Sequence, residues 1–232
     1  MILLKCSLFC RLTFALGEFR ACVSFITILP EPLRSDVEAA LAMRFLARLW
    51  SQYREDLRFG HGRTLLSADN SYEIRVFLEL ICQLAAWATL RRAACQIRDA
   101  SPRLSVAEHQ LYAASLHASL DLIETLRPVV ERDWSDHGPV EALSLVVQAS
   151  SKHEDLHDDG VCWTINLLSA LFAEQIGVSF GSLPSPALLR RECFRVDRSD
   201  NWRLGAISEL IAASASTAVN DVRDIIASVS AF

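Results

Sequence analysis

A chain of 232 residues, 51% hydrophobic and 22% charged, can bury a sizeable core and is too apolar to be disordered. Its formal net charge of -5 argues against a nucleic-acid binder, because no extended basic face is available to neutralise phosphates. The cysteines at 6, 10, 22, 82, 95, 162 and 193 are odd in number and include no C-x-x-C, which fits reduced thiols in a cytoplasmic protein.

The opening MILLKCSLFCRLTFAL is apolar, but Lys5 and Arg11 interrupt it and no small-residue cleavage site follows, so export is not expected. Leu4, Cys6, Leu8, Cys10, Leu12, Phe14 and Leu16 alternate with Lys5, Ser7, Phe9, Arg11, Thr13 and Ala15, the period-two pattern of a half-buried strand. LGEF supplies a turn, and RACVSFITIL is a second β-branched run that ends at Pro30. The first thirty residues therefore read as a β-hairpin, whose apolar face must pack on something larger to be stable.

Helix starts are marked by capping-box spacings: Ser35 with Glu38, Asn70 with Glu73, and Ser105 with Glu108. These predict helices near 36–57, 71–99 and 105–127, the last closed by Pro128. VFLELICQLAAWATL contains Glu79 and is shorter than the roughly 18 to 20 uncharged residues of a spanning helix, so it reads as core and no membrane span is expected. RFGHGRTLLSADN and RPVVERDWSDHGP are the long connections. Beyond them PVEALSLVVQAS, VCWTINLLSALFAEQIG, PALLRRECF and LGAISELIAASASTAVNDVRDIIASVSAF read as helices. In the last, Ile207, Ile211, Ala218, Val222, Ile225 and Val229 form one stripe, a core face or a surface for homo-oligomerisation.

The expected fold class is α+β, predominantly α: an N-terminal β-hairpin packed on a bundle of about six or seven helices. The chain reads as a single globular domain, 1–232. Its natural subdivision falls at the second connection, with the hairpin and three helices in 1–128 and a C-terminal helical part in 139–232.

The stretch HEDLHDDG carries the one catalytic spacing. Two histidines four apart on a helix can reach a single ion, and a glutamate beside the first can polarise a bound water. His153, Glu154, His157 and Gly160 match H-E-x-x-H-x-x-G, and the motif resembles that of the zinc metallopeptidases of the zincin and metzincin groups. The resemblance implies zinc, with His153 and His157 as ligands and Glu154 as catalytic base. It covers eight residues and departs from the family pattern at Trp163, where the third ligand would stand, and in having no methionine after Met43. A third ligand would have to come from elsewhere, such as His109, His117 or His137. The acidic run Asp155, Asp158 and Asp159, preceded by Ser150 and Ser151, reads equally as a solvated connection between helices.

Two weaker constellations remain. The order His117, His157-Asp158, Asp221 is similar to that of HD-type phosphohydrolases, although no apolar helix leads into the His-Asp pair. Arg190, Arg191, Arg195, Arg198 and Arg203, with Trp202 beside them, could receive an anion or an acidic partner, or pair with the local Glu192, Asp197 and Asp200. Neither a G-x-S-x-G elbow nor a P-loop occurs. The leading reading is a soluble α-helical protein-interaction or regulatory protein, an inhibitor or immunity-type binder, with no catalytic role, no cofactor and another protein as partner. The alternatives are a metal-dependent hydrolase at the HEDLH stretch, with zinc, and a small-ligand-binding helical domain.

Overall fold

In the computed structural model, which describes residues 2–61, 71–85, 87–132, 136–150, 165, 167–168, 179–180, 183–184, 193 and 199–229, the first element is a helix, α1 (Ile2–Ile28). This corrects the expected fold class: the described residues form a helical bundle, and the N-terminal β-hairpin is not formed. The reason is a second period carried by the same residues. Leu12, Ala15, Phe19, Val23 and Ile26 recur in steps of three and four and are buried, whereas Phe14, which the alternation places on one face with Leu12, is 67% exposed. The β-branched residues late in α1 each cost a few tenths of about 1 kcal/mol in a helix, against roughly 1.5–3 kcal/mol for burying Phe19 or Ile26. Pro30 stops the helix, and the Leu29 N–H closes the last turn on the Ile26 carbonyl at 3.1 Å.

α2 (Leu33–His61) begins earlier than the Ser35–Glu38 spacing predicts. Glu31 gathers its first turn: it accepts from the Ser35 hydroxyl at 2.7 Å and pairs with Arg34, so Ser35 sits inside the helix rather than capping it. Those two partners hold the Glu31 carboxyl below its usual range, the Ser35 hydrogen bond contributing most. The helix expected over 71–99 is two helices, α3 (Ser71–Leu84) and α4 (Ala88–Ala100), separated at Trp87, whose backbone is extended. No glycine or proline marks this break; α4 instead folds back on α3, burying Leu90, Ala93 and Ala94. A continuous helix would have run about 43 Å with that face uncovered.

α5 (Val106–Val130) starts at the expected capping box: the Glu108 N–H donates to Ser105 Oγ at 3.3 Å and the Ser105 N–H to Glu108 Oε2 at 2.8 Å. Pro128 lies within its last turn rather than ending it. α6 (Pro139–Ser150) matches the expected bounds, and α7 (Asp200–Val229) closes the bundle, with the Trp202 N–H donating to Ser199 Oγ at 3.3 Å at its start. A two-residue antiparallel ladder, Ser179–Phe180 with Leu183–Pro184, is the sole extended pairing among the described residues. The helix starts proposed at Asn70 and Ser185 and most of the helix proposed over 161–177 lie outside the described residues.

Two apolar clusters hold the helices together. The larger joins α2 through α6 to Leu12 of α1 and the first half of α7, and includes Leu126 and Val130 before the 131–138 connection together with Leu143 and Val147 after it. Ile165, Leu167, Leu168 and Cys193 are buried in the same cluster. The second joins α1 and the start of α2 to the later half of α7 through Phe19, Val23, Ile26, Val37, Val219 and Ile225. The α7 stripe runs through Ile207, Ile211, Ala215, Val219, Val222 and Ile225 and is taken up inside the chain. No helix among the described residues is long and apolar enough to cross a membrane.

Candidate functional site

The surface that most departs from an ordinary bundle is the outer side of α1. Its buried stripe faces α7 and α2, yet Cys10, Phe14, Gly17, Ala21, Phe25 and Ile28 recur in the same steps of three and four on the opposite side and are all exposed. Phe25 is 43% and Ile28 77% exposed. A helix with apolar stripes on two opposite sides has two faces to cover, and the chain itself covers one. A Cβ at Gly17 would meet nothing within 4 Å, so no close approach inside the chain requires that glycine.

Beside this stripe, α1 and α7 enclose a groove of about 500 Å³. Ala21, Cys22 and Phe25 form one wall, and Val222, Ile226 and Ala227 the other. The charge at its edge is an ion pair, Arg223 Nη2 to Glu18 Oε1 at 3.1 Å. Burial pushes the Cys22 thiol above its ordinary range, with Arg223 opposing that shift and Glu18 adding to it. Arg11 and Arg20 are exposed nine residues apart, half a turn round the helix from each other, so one stands on each side of the outer stripe.

The α7 side of this region is anchored from within. Asp221 accepts from Arg44 Nη1 at 2.8 Å and pairs with Arg48, both on α2, while the outlying Asp224 lies 3.5 Å from Arg44. These carboxylates raise the Arg44 pKa further, the Asp221 hydrogen bond most. Both Asp221 oxygens are thus engaged by guanidinium groups, which is how the structure places the aspartate of the HD-type order. His117, the histidine of that order, pairs with Asp121 at 3.3 Å on the surface of α5.

A second polar group lies between α3, α4 and α5. Glu79 accepts from Gln83 at 2.8 Å and from Arg98 Nη1 at 2.9 Å, and Arg98 also holds Asp99. Cys82 and Cys95 face each other beside this bridge, and burial followed by the hydrogen bond to Cys95 pushes the Cys82 thiol up to about 12. Burial also raises Tyr112, with Glu79 adding to it.

His153, Glu154 and His157 of the HEDLH motif lie outside the described residues, as do Gly160, Trp163, Arg190, Arg191, Arg195 and Arg198. Of the arginine group only Arg203 is described, and it is buried: its Nε donates to the Cys193 carbonyl at 3.0 Å and its Nη1 to Asp200 at 2.8 Å. Trp202 beside it is exposed. Among the histidines considered as a third ligand, the His109 ring lies 6.2 Å from Tyr112 and His137 Nδ1 lies 3.5 Å from Glu141. Among the described residues no three histidine, cysteine or acidic side chains converge as a metal site.

The outer stripe of α1 was missed by the sequence reading, although its signal is present: 10, 14, 17, 21, 25 and 28 is an apolar helical series alongside the series 12, 15, 19, 23 and 26. Comparison of the chain with protein-family models, with curated proteins and with solved structures finds no match in any of the three.

Proposed function

We propose that this chain is an α-helical protein-interaction or regulatory protein, an inhibitor or immunity-type binder acting in the cytoplasm. The outer face of α1 and the α1–α7 groove receive an amphipathic helix of another protein, one with acidic residues flanking its apolar side. The observation that carries the reading is the second apolar stripe of α1, with Phe14, Ala21, Phe25 and Ile28 left uncovered on the side opposite the buried one. The groove has the form that helix recognition uses: two walls of apolar residues at helical spacing, from Ala21 to Phe25 and from Val222 to Ala227. Arg11 on one side of the outer stripe and Arg20 on the other favour an acidic partner over a second copy, which would bring the same arginines to the contact. The reading assigns no catalytic role and calls for no metal or cofactor.

The test is fluorescence anisotropy with a labelled model helix of about 20 residues, leucine at i, i+3, i+4 and i+7, flanked by glutamate in one version and lysine in the other. The glutamate version is expected to bind at least about tenfold more tightly, and Phe25→Asp to weaken it by a similar factor. If neither helix binds, or if the chain sediments as a dimer that Phe14→Asp dissolves, the face is not a receptor for a partner helix.

A further inference from the structure

The strongest feature outside the α1–α7 face is the thiol pair on the seam between α3 and α4. The chain reverses at Trp87, and the Glu79–Arg98 ion pair at 2.9 Å fixes how the two helices lie against each other. Cys82 is three residues after Glu79 on α3, and Cys95 three residues before Arg98 on α4, so one turn further along the seam the two cysteines stand opposite each other. Both are half-buried and both are free thiols. A disulfide needs Cα atoms about 4.4–6.8 Å apart, a separation that facing positions on closely packed helices can reach.

We propose that Cys82 and Cys95 form an oxidisable dithiol, a modification site that closes to an intramolecular disulfide by exchange with a low-molecular-weight disulfide such as oxidised glutathione. Cys95 attacks first as the thiolate: its sulfur bonds to one glutathione sulfur, the S–S bond of oxidised glutathione breaks, and one glutathione leaves as thiolate. Cys82 then attacks the Cys95 sulfur, the mixed disulfide breaks, and the second glutathione leaves. Two thiol protons go to the two departing glutathiones, and two electrons pass from the protein to the oxidant. The surroundings suit this order. Burial, the largest cause, and the hydrogen bond to Cys95 hold the Cys82 proton against the opposing pull of Arg98, which disfavours attack by Cys82 on a disulfide from solution; the Cys95 mixed disulfide is instead presented to Cys82 within the chain, where a small thiolate fraction suffices. The crosslink pins α4 to α3 beside the Glu79–Arg98 bridge, and this inference stands independently of the partner-helix reading.

The purified full-length chain is equilibrated with oxidised and reduced glutathione, quenched in acid, alkylated and digested with trypsin. Arg91 and Arg92 lie between the two cysteines, so the digest leaves them on separate peptides unless they are bonded. A linked peptide pair containing Cys82 and Cys95 is expected, together with a rise of about 5 °C or more in the unfolding midpoint that dithiothreitol reverses. In Cys82→Ser the remaining Cys95 should accumulate as its glutathione adduct, and in Cys95→Ser the remaining Cys82 should stay largely reduced. Glutathione adducts on both cysteines of the natural chain with no linked pair would overturn the proposal. So would adduct formation on Cys82 in the Cys95→Ser variant as fast as on Cys95 in Cys82→Ser.

Discussion

Arg44 on α2 donates to Asp221 on α7 at 2.8 Å, joining helices that lie at opposite ends of the chain. The Asp221 side chain is only 11% exposed and also holds Arg48, so its removal leaves two guanidinium groups facing each other without their shared anion. Asp221→Ala is expected to lower the unfolding free energy by about 2–3 kcal/mol. Asp224→Ala removes a longer, exposed contact with Arg44 and should cost less than about 0.5 kcal/mol. Denaturant unfolding of the two variants checks this; equal losses would mean that the paired carboxylate does not tie α2 to α7.

The helical register of α1 makes a prediction that a hairpin reverses. Phe19 is 1% exposed inside the second cluster, and its truncation to alanine should cost about 3–5 kcal/mol. Phe14→Ala, on the uncovered side, should lie within about 0.5 kcal/mol of the natural chain. In a hairpin Phe14 would share the buried face with Leu12 and be the costlier loss. Thermal or denaturant melts of the two variants decide between the registers.

Cys82 supplies a pH dependence. An ordinary thiol releases its proton near 9.0, whereas Cys82 in the folded chain is held up to about 12. Above pH 9 the unfolded chain has lost this proton while the folded chain keeps it, so the contribution to stability is complete below pH 9 and is lost as pH rises toward 12. Cys82→Ala should flatten the fall in stability between about pH 9 and 11. Parallel stability-against-pH curves for the two proteins would show that the surroundings of Cys82 do not hold its proton.

Where local chemistry decides an element, the sequence could be read. The Ser105–Glu108 box is satisfied within one turn, and Pro139 and Ser150 bound α6 as expected. Where packing decides, it could not. The alternation from Leu4 to Leu16 and the stripe from Leu12 to Ile26 are both present in α1, and only the complementary stripe of α7, some two hundred residues away in sequence, selects the helix. The turn at Trp87 has no glycine or proline because it is imposed by α4 packing back on α3. Glu31 overrides the Ser35 cap for a similar reason, since it reaches both Arg34 and Ser35. As for the site, the eye-catching HEDLH stretch lies outside the described residues, while the uncovered face of α1 was hidden by reading the same residues at the wrong period.

If the α1–α7 groove takes a partner helix, Cys22 in its wall reports on it directly. Burial holds this thiol above its ordinary range, so its alkylation by iodoacetamide is best followed at about pH 9. With the glutamate-flanked helix at saturation, modification of Cys22 should slow by about tenfold or more, while Cys95 on α4 keeps its rate. A Cys22 rate unchanged by the bound helix would contradict the account.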